Sequence, residues 1–93
     1  MITQQTIITR KEQAFATELG DELVIMDIEA GNYITLNKLG KVIWDLLEKP
    51  HSINELVGKL LERFEVEEVQ CRTETLSFID ELEKNKLIDI TLV

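Results

Sequence analysis

Two hydrophobic periodicities divide the chain, and they meet near Asn37. Before it, β-branched and apolar residues come in short runs separated by turn residues, which is the signature of strands. Phe15-Ala16-Thr17-Glu18-Leu19 predicts a first strand, Gly20-Asp21 a two-residue turn, and Glu22-Leu23-Val24-Ile25-Met26-Asp27-Ile28 a second strand. Glu29-Ala30-Gly31 predicts the next turn, where Gly31 is free to take positive φ. Asn32-Tyr33-Ile34-Thr35-Leu36 follows as a third strand. Three strands joined by tight turns make an antiparallel meander. The earlier run Thr6-Ile7-Ile8-Thr9 either extends the first strand or adds contacts to it.

After Asn37 the period becomes helical. Asn37 is a suitable N-cap, and Leu39, Val42, Ile43, Leu46 and Leu47 recur at helical spacing with Trp44 on the flank. Lys49-Pro50 ends this helix, because proline disfavours helical geometry in the residue before it. Ser52-Ile53-Asn54-Glu55 is a capping box, and the helix behind it carries Leu56, Val57, Leu60, Leu61 and Phe64 on one stripe. A third helix is predicted from about Glu67 to Lys84, with Val69, Leu76, Ile79 and Leu82 as its stripe and Phe78 alongside. Asn85 supplies a left-handed C-cap in this reading, and Leu87-Ile88-Asp89-Ile90 leaves as an extended tail. The predicted fold is therefore α+β, a three-stranded antiparallel β-meander followed by three short helices in a helix-turn-helix arrangement. Each apolar stripe also has a plain reading as core.

Length and composition narrow what such a fold can do. The 93 residues suffice for one domain, spanning 1–93 with its core at about 13–90. With 44% hydrophobic and only 5% aromatic residues, the core is small and aliphatic and leaves little room for an enclosed cofactor. The net charge of −8 repels phosphate backbones and attracts basic peptides. Cys71 is the single cysteine, so no intrachain disulfide forms, in keeping with a reducing compartment. No signal peptide and no run near the ~20 apolar residues of a membrane helix is seen, so the expectation is a cytoplasmic protein with no membrane partner.

Candidate chemistry is sparse. Catalysis needs a nucleophile beside a base, paired carboxylates or a metal cluster. His51 is the lone histidine and reads as a solvated loop residue after Pro50. Cys71 has no CxxC partner and reads as a half-buried small apolar residue. Glu62, Glu65, Glu67, Glu68, Glu74, Asp80, Glu81 and Glu83 read as solvated helix faces, and the glycines are too scattered for a phosphate loop. No catalytic residue, no metal site and no cofactor is expected. The helix-turn-helix outline raises DNA binding, but from Val66 to Lys86 six acids (Glu67, Glu68, Glu74, Asp80, Glu81, Glu83) face three bases (Arg72, Lys84, Lys86). A recognition helix in the major groove is normally flanked by bases, so no nucleic-acid partner is expected.

The stretch from Asp27 to Leu47 carries an acidic turn, a glycine, Tyr33-x-x-Leu36-Asn37, Gly40 and then Ile43-Trp44-x-Leu46-Leu47. In that order it resembles the PqqD-like family, also called RiPP recognition elements. Ser52-Ile53-x-Glu55-Leu56 and Phe78-x-x-x-Leu82 agree, and the resemblance covers roughly residues 15–90. It departs at Asn85-Lys86, where the family often has glycine before an apolar pair. The resemblance implies a three-stranded sheet on a three-helix winged bundle that binds the leader segment of a ribosomally made precursor peptide and delivers it to a maturation enzyme. Acidity and length look closest to the free-standing lasso-peptide group, whose partner is a separate leader peptidase. A PQQ-pathway peptide chaperone, an acidic winged-helix transcription regulator, and a subunit that only scaffolds or activates a partner enzyme are the alternatives.

Resemblance and pattern meet at the third strand. The last strand of a meander is an edge whose unpaired N–H and C=O groups template another strand. A leader peptide is expected to add there through Asn32, Tyr33, Ile34, Thr35 and Leu36. It is expected to pack on the third helix along Val69, Arg72, Thr73, Leu76 and Asp80, which share one face, with Glu68 and Asp80 offered to leader bases and Arg72 to an acid. Core packing is the competing reading for Val69 and Leu76. An exposed edge also pairs with a second copy, so a monomer or weak dimer is expected.

Overall fold

The computed structural model describes residues 6–12, 14–20, 22–27 and 31–91. Its elements are β1 Ile7–Arg10, β2 Ala14–Leu19, β3 Glu22–Asp27, β4 Asn32–Leu36, α1 Lys38–Leu46, β5 His51–Ser52, α2 Ile53–Arg63, α3 Glu68–Lys84 and β6 Ile88–Thr91. β2, β3 and β4 form the expected meander, with Ile25 opposite Ala16 on one side and Ile34 on the other. Gly20 and Gly31 both hold positive φ at its turns. Ile28, Glu29 and Ala30, placed in the second strand and second turn from the sequence, lie outside the described residues, as does Asp21.

A second sheet was not foreseen. β1 does not extend the meander; it runs between β5 and β6, antiparallel to both. The tail after α3 is thus a strand, and Ile8 is fully buried in the same core as Ile25, Ile43, Trp44, Leu56 and Ile79. Arg10 reinforces the join. Its guanidinium lies 5.2 Å from the Trp44 ring centroid and donates to the Trp44 carbonyl at 3.2 Å. The folded unit therefore begins well before residue 13.

The helix starts follow the sequence closely. The Asn37 side chain accepts from the Gly40 N–H at 2.8 Å. Ser52 and Glu55 close a reciprocal capping box, Ser52 N–H to Glu55 Oε1 at 2.9 Å and Glu55 N–H to Ser52 Oγ at 3.1 Å. α3 has no such side-chain cap at Glu67.

Three local expectations are corrected. His51 is buried in β5 rather than solvated in a loop. Its Nε2 lies 3.0 Å from the Lys59 ammonium, which can only donate, so Nδ1 carries the proton and donates to the Lys49 carbonyl at 2.8 Å. Cys71 is fully buried, not half-buried, because it lies on the core stripe of α3 with Thr75, Ile79 and Leu82. Asn85 is not left-handed (φ −92); the left-handed residue is Lys86 at φ 57. Leu87 N–H to Leu82 carbonyl and Lys86 N–H to Glu83 carbonyl, both 3.0 Å, make this ending a Schellman motif. That motif normally places glycine where Lys86 stands.

Two stability predictions follow from these ends. A left-handed non-glycine residue costs roughly 1–2 kcal/mol, partly offset by the extra freedom glycine has when unfolded. Lys86→Gly is therefore expected to stabilise the protein by about 0.5–1 kcal/mol. A raised urea midpoint at unchanged slope would show it; a lowered midpoint would contradict it. At α2, the Ser52 backbone N–H is the main cause that holds the Glu55 carboxyl below its ordinary range, with desolvation opposing and the Ser52 hydroxyl, His51 and Lys59 assisting. A carboxyl lowered in the folded state stabilises above the unfolded value, and that contribution is lost as pH falls through the lowered value. Glu55→Gln keeps an acceptor for Ser52 but does not titrate. Its stability should decline less than that of the wild type from neutral to acid pH, and parallel declines would refute the coupling.

Candidate functional site

The meander has two free edges, β2 and β4, and they are not equivalent. Leu19 and Glu22 face each other across two residues, so theirs is the hydrogen-bonded pair that closes the hairpin. Alternation along the ladders then turns the N–H and C=O groups of Ala14, Ala16 and Glu18 outward on β2, and those of Tyr33 and Thr35 outward on β4. On β2 the first of these is already occupied, since Ala14 N–H donates to the Lys11 carbonyl at 3.1 Å. On β4, among the described residues, no further strand lies beyond the edge. Ile34 and Leu36 point into the core, while Tyr33 and Thr35 are exposed. Tyr33 also continues a cross-strand row with Met26 and Phe15 on the outer face of the sheet.

Beside the end of β4 opens a cleft of about 570 Å³. One wall is Thr35, Leu36, Asn37, Leu39 and Gly40; the other is Glu74, Ser77, Phe78 and Glu81 of α3, with Glu22 of β3 completing it. Gly40 shapes this space. A Cβ there would sit 3.2 Å from two Phe78 ring atoms, so glycine lets the ring settle closer to the start of α1 than a residue with a side chain would. The Asn37 cap fixes where that backbone runs.

The structure brings together only part of the predicted set. Tyr33, Ile34, Thr35 and Leu36, with the Asn32 backbone, form the edge strand, and Thr35 and Leu36 reach the cleft. The α3 residues lining the cleft share one stripe, and the buried stripe of Cys71, Thr75, Ile79 and Leu82 lies next to it. At about 100° per residue, Arg72, Leu76 and Val69 fall beyond that buried stripe, on the far side from the cleft, while Asp80 and Thr73 lie on the solvent side next to Ser77; none of the five lines the cleft. Arg72 donates to Asn54 of α2 at 2.8 Å, Thr73 Oγ1 donates to the Val69 carbonyl at 2.9 Å, and Asp80 pairs with Lys84 at 3.3 Å. Val69 is 67% exposed, Leu76 packs partly on the core, and Glu68 is exposed in the first turn. The residues not singled out from the sequence are Glu74, Ser77 and Glu81, with Leu39 and Gly40. Their i, i+3, i+7 spacing around Phe78 was the available signal, but two acids and a serine look like any solvated face.

Comparison with known proteins agrees with the fold. The family model for coenzyme PQQ synthesis protein D (PqqD) matches residues 22–88. No curated protein matches the chain. Among solved structures, TbiB1 in complex with the TbiA(beta) leader peptide is similar at a TM-score of 0.74 and 22% identity, over 87% of this chain and 94% of that one. A lasso peptide synthetase B1 complexed with the leader peptide is similar at 0.73 and 20%, over 88% and 96%. At these identities the likeness establishes the shared fold.

Gly40→Ala tests the packing beneath the cleft. The exchange favours the helix by about 1 kcal/mol but forces Phe78 to give by a few tenths of an ångström. Helical circular dichroism should be unchanged while the Phe78 ring proton shifts move. Unmoved ring shifts would mean that the contact does not position Phe78.

Proposed function

The chain belongs to the PqqD family, and from that membership we propose that it captures the leader segment of a ribosomally made precursor peptide as an added strand on β4. In this reading it presents the leader to a separate maturation enzyme, the leader peptidase of a lasso-peptide pathway, and acts in the cytoplasm. The observation that carries the reading is the free edge of β4 beside a cleft against α3 whose lining includes Leu36, Leu39 and Phe78. Two leader-bound proteins of the same fold support leader capture, and one of them, a lasso peptide synthetase B1, supports the lasso assignment over the PQQ pathway named in the family description. Among the described residues, no helix is long and apolar enough to cross a membrane.

Magnitudes explain why both parts of the site are needed. Tyr33 and Thr35 together offer two donors and two acceptors to an incoming strand. At roughly 1 kcal/mol net each, four such bonds fall well short of the ~8 kcal/mol of micromolar binding, before any ordering cost. The rest comes from apolar leader side chains buried against Leu36, Leu39 and Phe78, at about 25 cal/mol per Å². The edge fixes direction and register, and the cleft adds affinity. The chain itself performs no chemistry in this reading. Both His51 nitrogens are engaged and Cys71 is buried, and among the described residues no group of three or more His, Cys, Asp or Glu is placed to hold a metal.

Thr35→Pro removes an outward N–H that the meander does not use, on an edge strand where proline is tolerated. Titration calorimetry with the leader of whichever short precursor the neighbouring genes encode should show at least a tenfold loss, with the circular dichroism spectrum retained. Normal binding by the folded variant would refute strand addition at β4. Ser77→Trp fills the cleft and should also block binding, whereas Val69→Trp, at an exposed position about two turns away and turned from the cleft, should not. The reverse pattern would move the docking face to the side of Val69, Arg72 and Asp80.

A further inference from the structure

We propose that the cleft selects for an extended peptide carrying a lysine or arginine at one of its inward-facing positions and an apolar residue at another. This rests on the reading of β4 as the docking edge and adds the chemistry of the occupant. Three carboxylates, Glu22, Glu74 and Glu81, line the cleft together with the apolar Leu36, Leu39 and Phe78, and no Lys, Arg or His does.

None of the three makes an ion pair among the described residues, although Glu22 also borders a neighbouring depression lined by Lys38 and Lys41, so Glu74 and Glu81 carry the argument. Among the described residues the only ion pair is Lys84 with Asp80, and Asp80 does not line the cleft. The Glu74 carboxylate accepts a long 3.4 Å bond from the Gln70 amide. Glu74 and Glu81 stand two turns apart on the same stripe of α3, about 10 Å along its axis. An extended strand advances about 3.3 Å per residue and turns alternate side chains to one face. Residues of an added strand opposite Ile34 and Leu36 therefore look toward α3. One of them covers Leu36 and Phe78, and a long cationic side chain from another reaches the carboxylates. An acidic residue at either place meets uncompensated like charge in a chain already at −8. Outward-facing residues, opposite Tyr33 and Thr35, are free of this constraint.

Exposed ion pairs are individually weak and screened by salt. Two of them together are expected to change affinity about three- to tenfold, enough to rank peptides of equal apolar content. The test uses a phage-displayed library of random twelve-residue peptides selected on the intact chain. Hydrogen exchange of the Tyr33 and Thr35 amides then reports whether each selected peptide sits on β4. Peptides that protect these amides should be enriched in lysine or arginine at alternate positions. They should bind Glu74→Gln/Glu81→Gln about three- to tenfold more weakly at low salt, with the difference vanishing at 1 M salt. Peptides that protect the amides, lack basic enrichment and bind both proteins equally would overturn the charge selection while leaving docking at β4 intact. Peptides that bind without protecting Tyr33 and Thr35, or a selection with no binder at β4, would overturn the docking reading and the selectivity with it.

Discussion

One residue, Asn37, separates the edge strand from the first helix, and its 2.8 Å bond to the Gly40 N–H decides how the chain turns between them. Because β4 ends at Leu36 and α1 begins at Lys38, the helix cannot swing independently of the strand. The same turn sets Gly40 against the Phe78 ring, which ties α3 to the start of α1. The cleft is the space left between these three elements. A polar cap that serves to start a helix thus also holds the cleft at a fixed distance from a hydrogen-bonding edge.

Features decided by neighbouring residues were legible in the sequence. The capping box at Ser52 and Glu55, the cap at Asn37 and the meander all depend on side chains a few positions apart, and all stand where the pattern put them. The second sheet was not legible for the opposite reason. β5 is two residues long, and β1 and β6 are four each, too short for alternation to declare itself. They pair only because the ends of the chain are brought together by the packing of the helices between them. His51 was misread on the same ground, since nothing local reveals that a residue after Pro50 becomes part of a sheet.

α3 shows a different limit. Its large apolar residues grouped Val69 and Leu76 with Ile79 and Leu82 on one stripe, with Val69 and Leu76 offered to the leader and core packing as the competing reading. The buried stripe instead joins Ile79 and Leu82 to the small side chains Cys71 and Thr75, leaving Leu76 partly buried and Val69 exposed. Rotating the helix to that register carries Glu74, Ser77, Phe78 and Glu81 to the cleft and takes Val69, Arg72 and Asp80 away from it. Periodicity alone could not choose between the two registers, because a weakly amphipathic helix offers two partial stripes. Only the tertiary fit of small residues resolves them.

A free edge is also a hazard, because any extended segment, including β4 of a second copy, can pair with it. Charge bears on both outcomes in opposite directions. Two copies of a chain at −8 repel one another as their edges approach, and each brings a cleft lined by Glu22, Glu74 and Glu81. A basic peptide meets the same field as attraction. The energy of each exposed carboxylate is small, yet self-pairing and peptide pairing compete for the same few backbone groups of Tyr33 and Thr35. On the proposed reading, a modest term of opposite sign on the two favours the peptide over self-pairing at this edge.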